Sequence, residues 1–120
     1  MTVRAVRGAI TVDENTKEQI ILHTKELLNE MLVSNHINPN DIISIFFTTT
    51  KDVNAVFPSV AAREMGFTNV PLMCASEIDV PDSLQKCIRI MMHINVEKNL
   101  NQISHIYLKD AKKLRPDLSK

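Results

Sequence analysis

Glycine occurs twice, cysteine twice, tyrosine once and tryptophan not at all in this 120-residue chain, and its 14 lysines and arginines are matched by 14 aspartates and glutamates. Each shortage removes a class of function. With no formal net charge there is no broad basic field to gather a polyanion, so nucleic acid is not an expected partner. An anion recognised here would be small and gripped by a few convergent arginines. Cys74 and Cys87 stand apart, with no C-x-x-C spacing and no secretory leader before them, which points to a reduced, cytoplasmic protein. His23, His36, His93 and His105 share no ligand spacing with one another or with the cysteines, so no metal is expected. No apolar stretch approaches the roughly 18 residues of a membrane span, and no repeat or low-complexity tract is present. The length suits a single domain, 1–120, with a core of its own.

Hydrophobic periodicity divides the chain into seven elements. Thr2 to Thr11 reads as a strand with an irregularity at Gly8. Thr16-Lys-Glu-Gln19 has the form of a capping box and is followed by apolar residues at helical spacing, which predicts a helix from Thr16 to Ser34. Asn38-Pro39-Asn40-Asp41 makes a turn into a β-branched and aromatic strand over Ile42 to Thr50. Pro58 and Gly66 bracket a short helix at Ser59 to Met65. Val70 to Ala75, Leu84 to Val96 and Gln102 to Lys109 read as three further strands. The order β-α-β-α-β-β-β predicts an α+β fold, a mixed five-stranded sheet packed with one long and one or two short helices. One long helix can shield only one side of such a sheet, so self-association is expected to cover the other.

Arg89 carries the most information. In the run from Leu84 to Val96, Ile88, Ile90, Met92 and Ile94 point one way while Cys87, Arg89, Met91 and His93 point the other. Both faces are apolar enough to be covered, which places a guanidinium in or beside the core, where it requires a carboxylate or an anionic ligand.

Other polar residues embedded in apolar segments are Arg7, Cys74, Glu77, Tyr107 and Arg115. Arg7, Arg89 and Tyr107 together suit a dianionic small molecule, and Glu77 with Cys74 suits its hydroxyl. Singly, each has a plainer reading. Arg7 can be a surface charge, Glu77 a solvated loop residue, Tyr107 a packing residue and Arg63 an exposed helix residue. Cys74 can be a small buried hydrophobe, with no base in sight to activate it.

The combination is more specific. Val3-Arg-Ala-Val-Arg-Gly-Ala-Ile-Thr-Val12, Asn54-Ala-Val-Phe-Pro-Ser59 with Arg63-Glu64, Val70-Pro-Leu-Met-Cys-Ala-Ser-Glu-Ile-Asp-Val80, Lys86-Cys-Ile-Arg-Ile-Met-Met92, His105-Ile-Tyr-Leu108 and Leu114-Arg-Pro-Asp-Leu118 follow in order. Together they resemble the monofunctional AroH-type chorismate mutases almost from end to end. The resemblance implies a homotrimer with a pseudo-α/β-barrel core and active sites between adjacent subunits. It implies the pericyclic rearrangement of chorismate to prephenate, without cofactor or metal. In that reaction Arg89 serves the breaking ether bond, Arg7 and Tyr107 hold a substrate carboxylate, and Glu77 and Cys74 hold the ring hydroxyl. Ala75 and Ser76 belong to the same binding segment, Phe57, Met73 and Leu114 wall the cleft, and Arg63 and Arg115 add positive potential at its mouth. Two departures from the pattern bear on substrate capture: Val60 stands where members often carry lysine, and the turn from Gly66 to Asn69 is one residue short. Two alternatives are an enamine/imine deaminase-like trimer and a non-catalytic anion-binding trimer.

Overall fold

The computed structural model describes residues 2–114. Five strands, β1 (Val3–Thr11), β2 (Ile42–Thr49), β3 (Leu72–Ser76), β4 (Cys87–Asn95) and β5 (Ile106–Leu108), form one sheet. Two helices, α1 (Lys17–Ser34) and α2 (Ser59–Glu64), accompany it. The strand order is β3-β2-β4-β1-β5, with β4 antiparallel to both β1 and β2, and the edge strands β3 and β5 parallel to their neighbours. Three 3₁₀ turns lie at Pro39–Asp41, Leu100–Gln102 and Lys109–Lys113. The α+β architecture read from the pattern is the one observed.

The long helix starts where its cap dictates. Thr16 lies in the extended region and its hydroxyl accepts from the Gln19 amide at 3.1 Å, satisfying one of the free N–H groups of the first turn. Ile20, Leu27, Leu28 and Met31 are then fully buried along one face of α1, which packs on β1, β5 and α2. Beneath it the sheet contributes Val6, Ile10, Ile45, Phe47, Ile88, Met92 and Ile94 to the same core.

Several local features differ from the sequence expectation, among them the start of β3, at Leu72 rather than Val70. The irregularity at Gly8 is absent: β1 pairs with β4 without interruption from Val3 opposite Asn95 to Thr11 opposite Cys87. Gly8 is needed instead for close approach, since a Cβ there would lie 2.6 Å from Met31 Sδ and 3.0 Å from Leu27 Cδ1 on α1. The bulge falls on β2, between Ile42 and Ser44. β4 starts at Cys87 rather than Leu84 because Lys86 turns to φ 52°, with its amide donating to both oxygens of Asp52 at 3.0 and 3.1 Å. β5 is confined to 106–108 between the 3₁₀ turn ending at Gln102 and Lys109 at φ 54°.

The two sheet faces have different fates. Residues in register with the core side are covered by the helices. The other side carries Phe46, 40% exposed, and Met73, 61% exposed, as well as the half-buried Met91 and Arg7. One face of this sheet is therefore short of cover from its own chain.

Candidate active site

Strand register gathers the site. Ala75, Thr48, Arg89, Ala9 and Tyr107 stand opposite one another across β3, β2, β4, β1 and β5, forming one row on the face away from the helices. Arg7 lies two residues along β1 and shares that face. Glu77 follows β3 directly, its amide donating to the Thr49 carbonyl at 2.8 Å. The recess above this row, about 220 Å³, is lined by Arg7, Ala9, Phe46, Thr48, Glu77, Arg89, Met91 and Tyr107. Of the residues that the sequence singled out, Arg7, Glu77, Arg89 and Tyr107 are brought together here.

The carboxylate is held from two sides. Arg89 Nε lies 3.2 Å from Glu77 Oε1, and the Thr48 hydroxyl donates to the same oxygen at 2.5 Å. Arg89 thus has an acidic neighbour at its half-buried position, but its shielded Nε–H is not aimed along that contact and makes no hydrogen bond among the described residues. The Tyr107 hydroxyl is likewise buried and without a partner among the described residues, on a residue only 3% exposed. Two donors are therefore withheld from water without being satisfied by the described residues, a costly arrangement that an anionic or oxygen-bearing ligand would relieve.

On the same face as the row, Ala9, Cys87, Tyr107 and Ala111 form a small apolar cluster, with Leu84 and Leu114 against it. Burial pushes the Cys87 thiol up to about 11, outweighing the opposite pull of the Arg89 charge. The strand start below Arg89 is fixed by Thr50, whose hydroxyl donates to Asp52 at 2.6 Å and accepts from the Cys87 amide at 3.0 Å.

Other expected site residues lie apart from this recess. Phe57, Cys74, Ala75 and Ser76 line a larger neighbouring depression of about 520 Å³, with Lys51 and Pro58. Cys74 is one residue out of step with Ala75, so its thiol turns to the helix side and packs against the main core. Phe57 is 68% exposed. Lys51 meets Asp79 at 2.9 Å, and that hydrogen bond raises the lysine's pKa. Met73 is exposed on β3, and Arg63 is exposed on α2 beside Glu64. Arg115 lies outside the described residues. Sequence reasoning passed over the apolar lining residues Ala9, Phe46 and Met91 and, among the polar ones, Thr48; three consecutive threonines, Thr48 to Thr50, gave only a strand signal.

The chain carrying this site has relatives of known identity. Chorismate mutase AroH of Bacillus subtilis (strain 168) is 43% identical over 120 residues, covering 99% of this chain and 94% of that protein. Chorismate mutase AroH of Thermus thermophilus is 44% identical over 117 residues, covering 97% and 96%. A solved structure, the chorismate mutase from Clostridium thermocellum Cth-682, superposes with a TM-score of 0.90 at 54% identity, over 92% of this chain and 98% of that one. The family model for chorismate mutase type I matches residues 3–118 and so includes every strand of the sheet and every side chain of the recess. With fold and sequence in agreement over nearly the whole length, this chain belongs to the chorismate mutase type I family.

Proposed function

We propose that this protein converts chorismate to prephenate, the isomerisation that leads toward phenylalanine and tyrosine, and that it does so as a cytoplasmic homotrimer. The carrying observation is the convergence on one recess of Arg7, Arg89, Glu77 and the Tyr107 hydroxyl, which has no partner among the described residues, in a chain of this family. The reaction is a concerted pericyclic step. No proton moves and no nucleophile attacks, so the work is to hold the substrate in its compact chair-like shape and to stabilise the charge that grows on the ether oxygen.

The recess supplies groups for both tasks. Arg89 donates to the ether oxygen, and its contact strengthens as the carbon–oxygen bond breaks. Arg7 and Tyr107 hold a substrate carboxylate. Glu77 is an orienting group and a charge balance for the guanidinium: its side-chain contacts with Thr48 and Arg89 both fall on Oε1, which leaves Oε2 to accept from the ring hydroxyl. None of these groups needs to change protonation during turnover.

A second copy completes the cleft. Phe57, Cys74, Ala75 and Ser76 line a separate depression of the same chain, and the sheet face with Phe46 and Met73 lacks cover. Seating one subunit's depression against the recess of the next would bring the Cys74 thiol and the Phe57 wall to the substrate held by Arg89, while Met73, Leu114, Arg63 and Arg115 border the same cleft. Neither the deaminase nor the non-catalytic alternative is favoured by the family match.

The test is the loss of chorismate absorbance with purified protein and no added cofactor or metal. Prephenate is confirmed by acid conversion to phenylpyruvate. Turnover whose rate is flat across neutral pH is expected, because no group titrates in the chemical step. A folded protein that leaves chorismate unchanged would sink the reading.

A further inference from the structure

The backbone amide of Arg7 has a side-chain partner where a strand carbonyl would ordinarily stand. β1 is nine residues long and β5 only three, and their parallel pairing covers just Gly8 to Ile10 against Ile106 to Leu108. At Arg7, β1 has outrun its neighbour. The imidazole of His105 takes the vacant acceptor position: the Arg7 N–H donates to Nδ1 at 3.0 Å, joining residues 98 apart in sequence. A ring nitrogen that accepts carries no proton, so this contact assigns the imidazole proton to Nε2.

The location gives the bond its consequence. Arg7 lines the recess with its side chain, and Tyr107, two residues past His105, supplies the buried hydroxyl of the same recess. One short segment therefore presents the phenol directly and fixes the backbone from which the arginine is aimed. Without the imidazole, the Arg7 amide would sit half-buried at the free end of a strand pair, and that end could fray. A guanidinium on a long side chain magnifies a small rotation of its backbone into a displacement at its tip, and misplacement of a binding group is costly to turnover.

We propose that His105 is a positioning residue: its unprotonated Nδ1 locks the Arg7 backbone and so aims the Arg7 guanidinium at the substrate carboxylate. The inference rests on the mutase reading for the identity of that carboxylate. It does not place His105 in contact with substrate.

Two variants separate positioning from general support. Asparagine carries its amide oxygen at the same bond distance from the backbone as Nδ1, whereas leucine fills similar space without an acceptor. His105→Leu is expected to raise KM for chorismate about tenfold, the order of one lost hydrogen bond, with kcat held within about twofold. His105→Asn should restore KM to near the wild-type value. A general structural defect would instead lower the active fraction, reducing kcat in both variants alike. Exchange of the Arg7 amide proton, followed by NMR, reads the contact without turnover: slow in the wild type and His105→Asn, faster in His105→Leu. Unchanged KM in His105→Leu, equal impairment of both variants, or equal amide exchange in all three proteins would overturn the inference while leaving a mutase that turns over. Absence of turnover in the wild-type protein would remove the mutase reading, and with it the substrate role of His105, whatever the exchange rates.

Discussion

Thr48 stands directly opposite Arg89 in the pairing of β2 with β4, and from there its hydroxyl donates to the carboxylate that Arg89 also approaches, Glu77 Oε1, at 2.5 Å. The threonine and the guanidinium hold the carboxylate from adjacent strands. Glu77 lies just beyond the end of β3, and although its amide is tied to the Thr49 carbonyl, its side chain depends on these contacts for its direction.

Replacing Thr48 by valine keeps the shape and the strand propensity but removes the donor. A hydrogen bond to a charged group is worth about 1.5 to 3 kcal/mol, so Thr48→Val is expected to lower kcat/KM roughly ten- to a hundredfold, with thermal stability little changed. Thr48→Ser should retain most activity. Equal kinetics in wild type and Thr48→Val would show that Glu77 is oriented without this hydroxyl.

Arg89→Lys tests the shape of the cation rather than its sign. An ammonium on a flexible stem cannot present two donors in a fixed plane beside Glu77. Loss of one preorganised donor costs roughly 10²- to 10³-fold in kcat. The variant should remain folded, since its side chain is 35% exposed and the apolar core lies on the opposite face of the sheet. Near-normal kcat in a folded Arg89→Lys protein would remove Arg89 from the chemical step.

The two cysteines should behave differently. Cys87 is fully buried with a thiol pushed up to about 11, so it stays protonated and shielded at pH 8, whereas Cys74 is partly exposed. Alkylation of the native protein is expected to label Cys74 first and Cys87 only on unfolding. The same shift has a sign for stability. Between the ordinary thiol value of 9.0 and about 11, the unfolded chain releases a proton that the folded chain retains, so the Cys87 contribution is full below that window and lost as pH rises through it. Urea midpoints measured across this range should fall less in Cys87→Ala, relative to its own value at pH 8, than in the wild type. Equal slopes would assign the alkaline loss to other groups.

Much of this site was legible in the sequence because it is local. The alternation through Cys87 to Ile94 placed Arg89 on the less apolar face of its strand, and the burial of Ile88, Ile90, Met92 and Ile94 follows that phase. The capping residue Thr16 set the start of α1 to within one residue. What was not legible depends on pairing between distant segments. Thr48 meets Glu77 because β2 lies between β3 and β4 in one particular register, and no feature of Thr48, Thr49 and Thr50 distinguishes which hydroxyl that register selects. The same dependence turned Cys74 to the helix side, away from Arg89 of its own chain, although the two were expected to serve one substrate. Gly8 signalled a special backbone position, yet its cause was the approach of α1, a contact between a strand and a helix that composition does not encode.

The separation of Cys74 and Phe57 from the recess of Arg89 leads to a prediction about subunits. Arg89→Ala disables the recess, and Phe57→Asp places a negative charge in the neighbouring depression, where it would repel a dianionic substrate; each variant alone should be nearly inactive. If every active site combines the recess of one subunit with the depression of the next, a mixed trimer contains one site in which both halves are intact. Unfolding and refolding the two variants together in equal amounts would distribute the chains at random, and about a quarter of all sites would then be whole. Recovery of roughly that fraction of wild-type turnover is expected after co-refolding, with none when the separately refolded proteins are simply combined. A site built within a single subunit would gain nothing from mixing, because each chain would carry its own defect into every assembly.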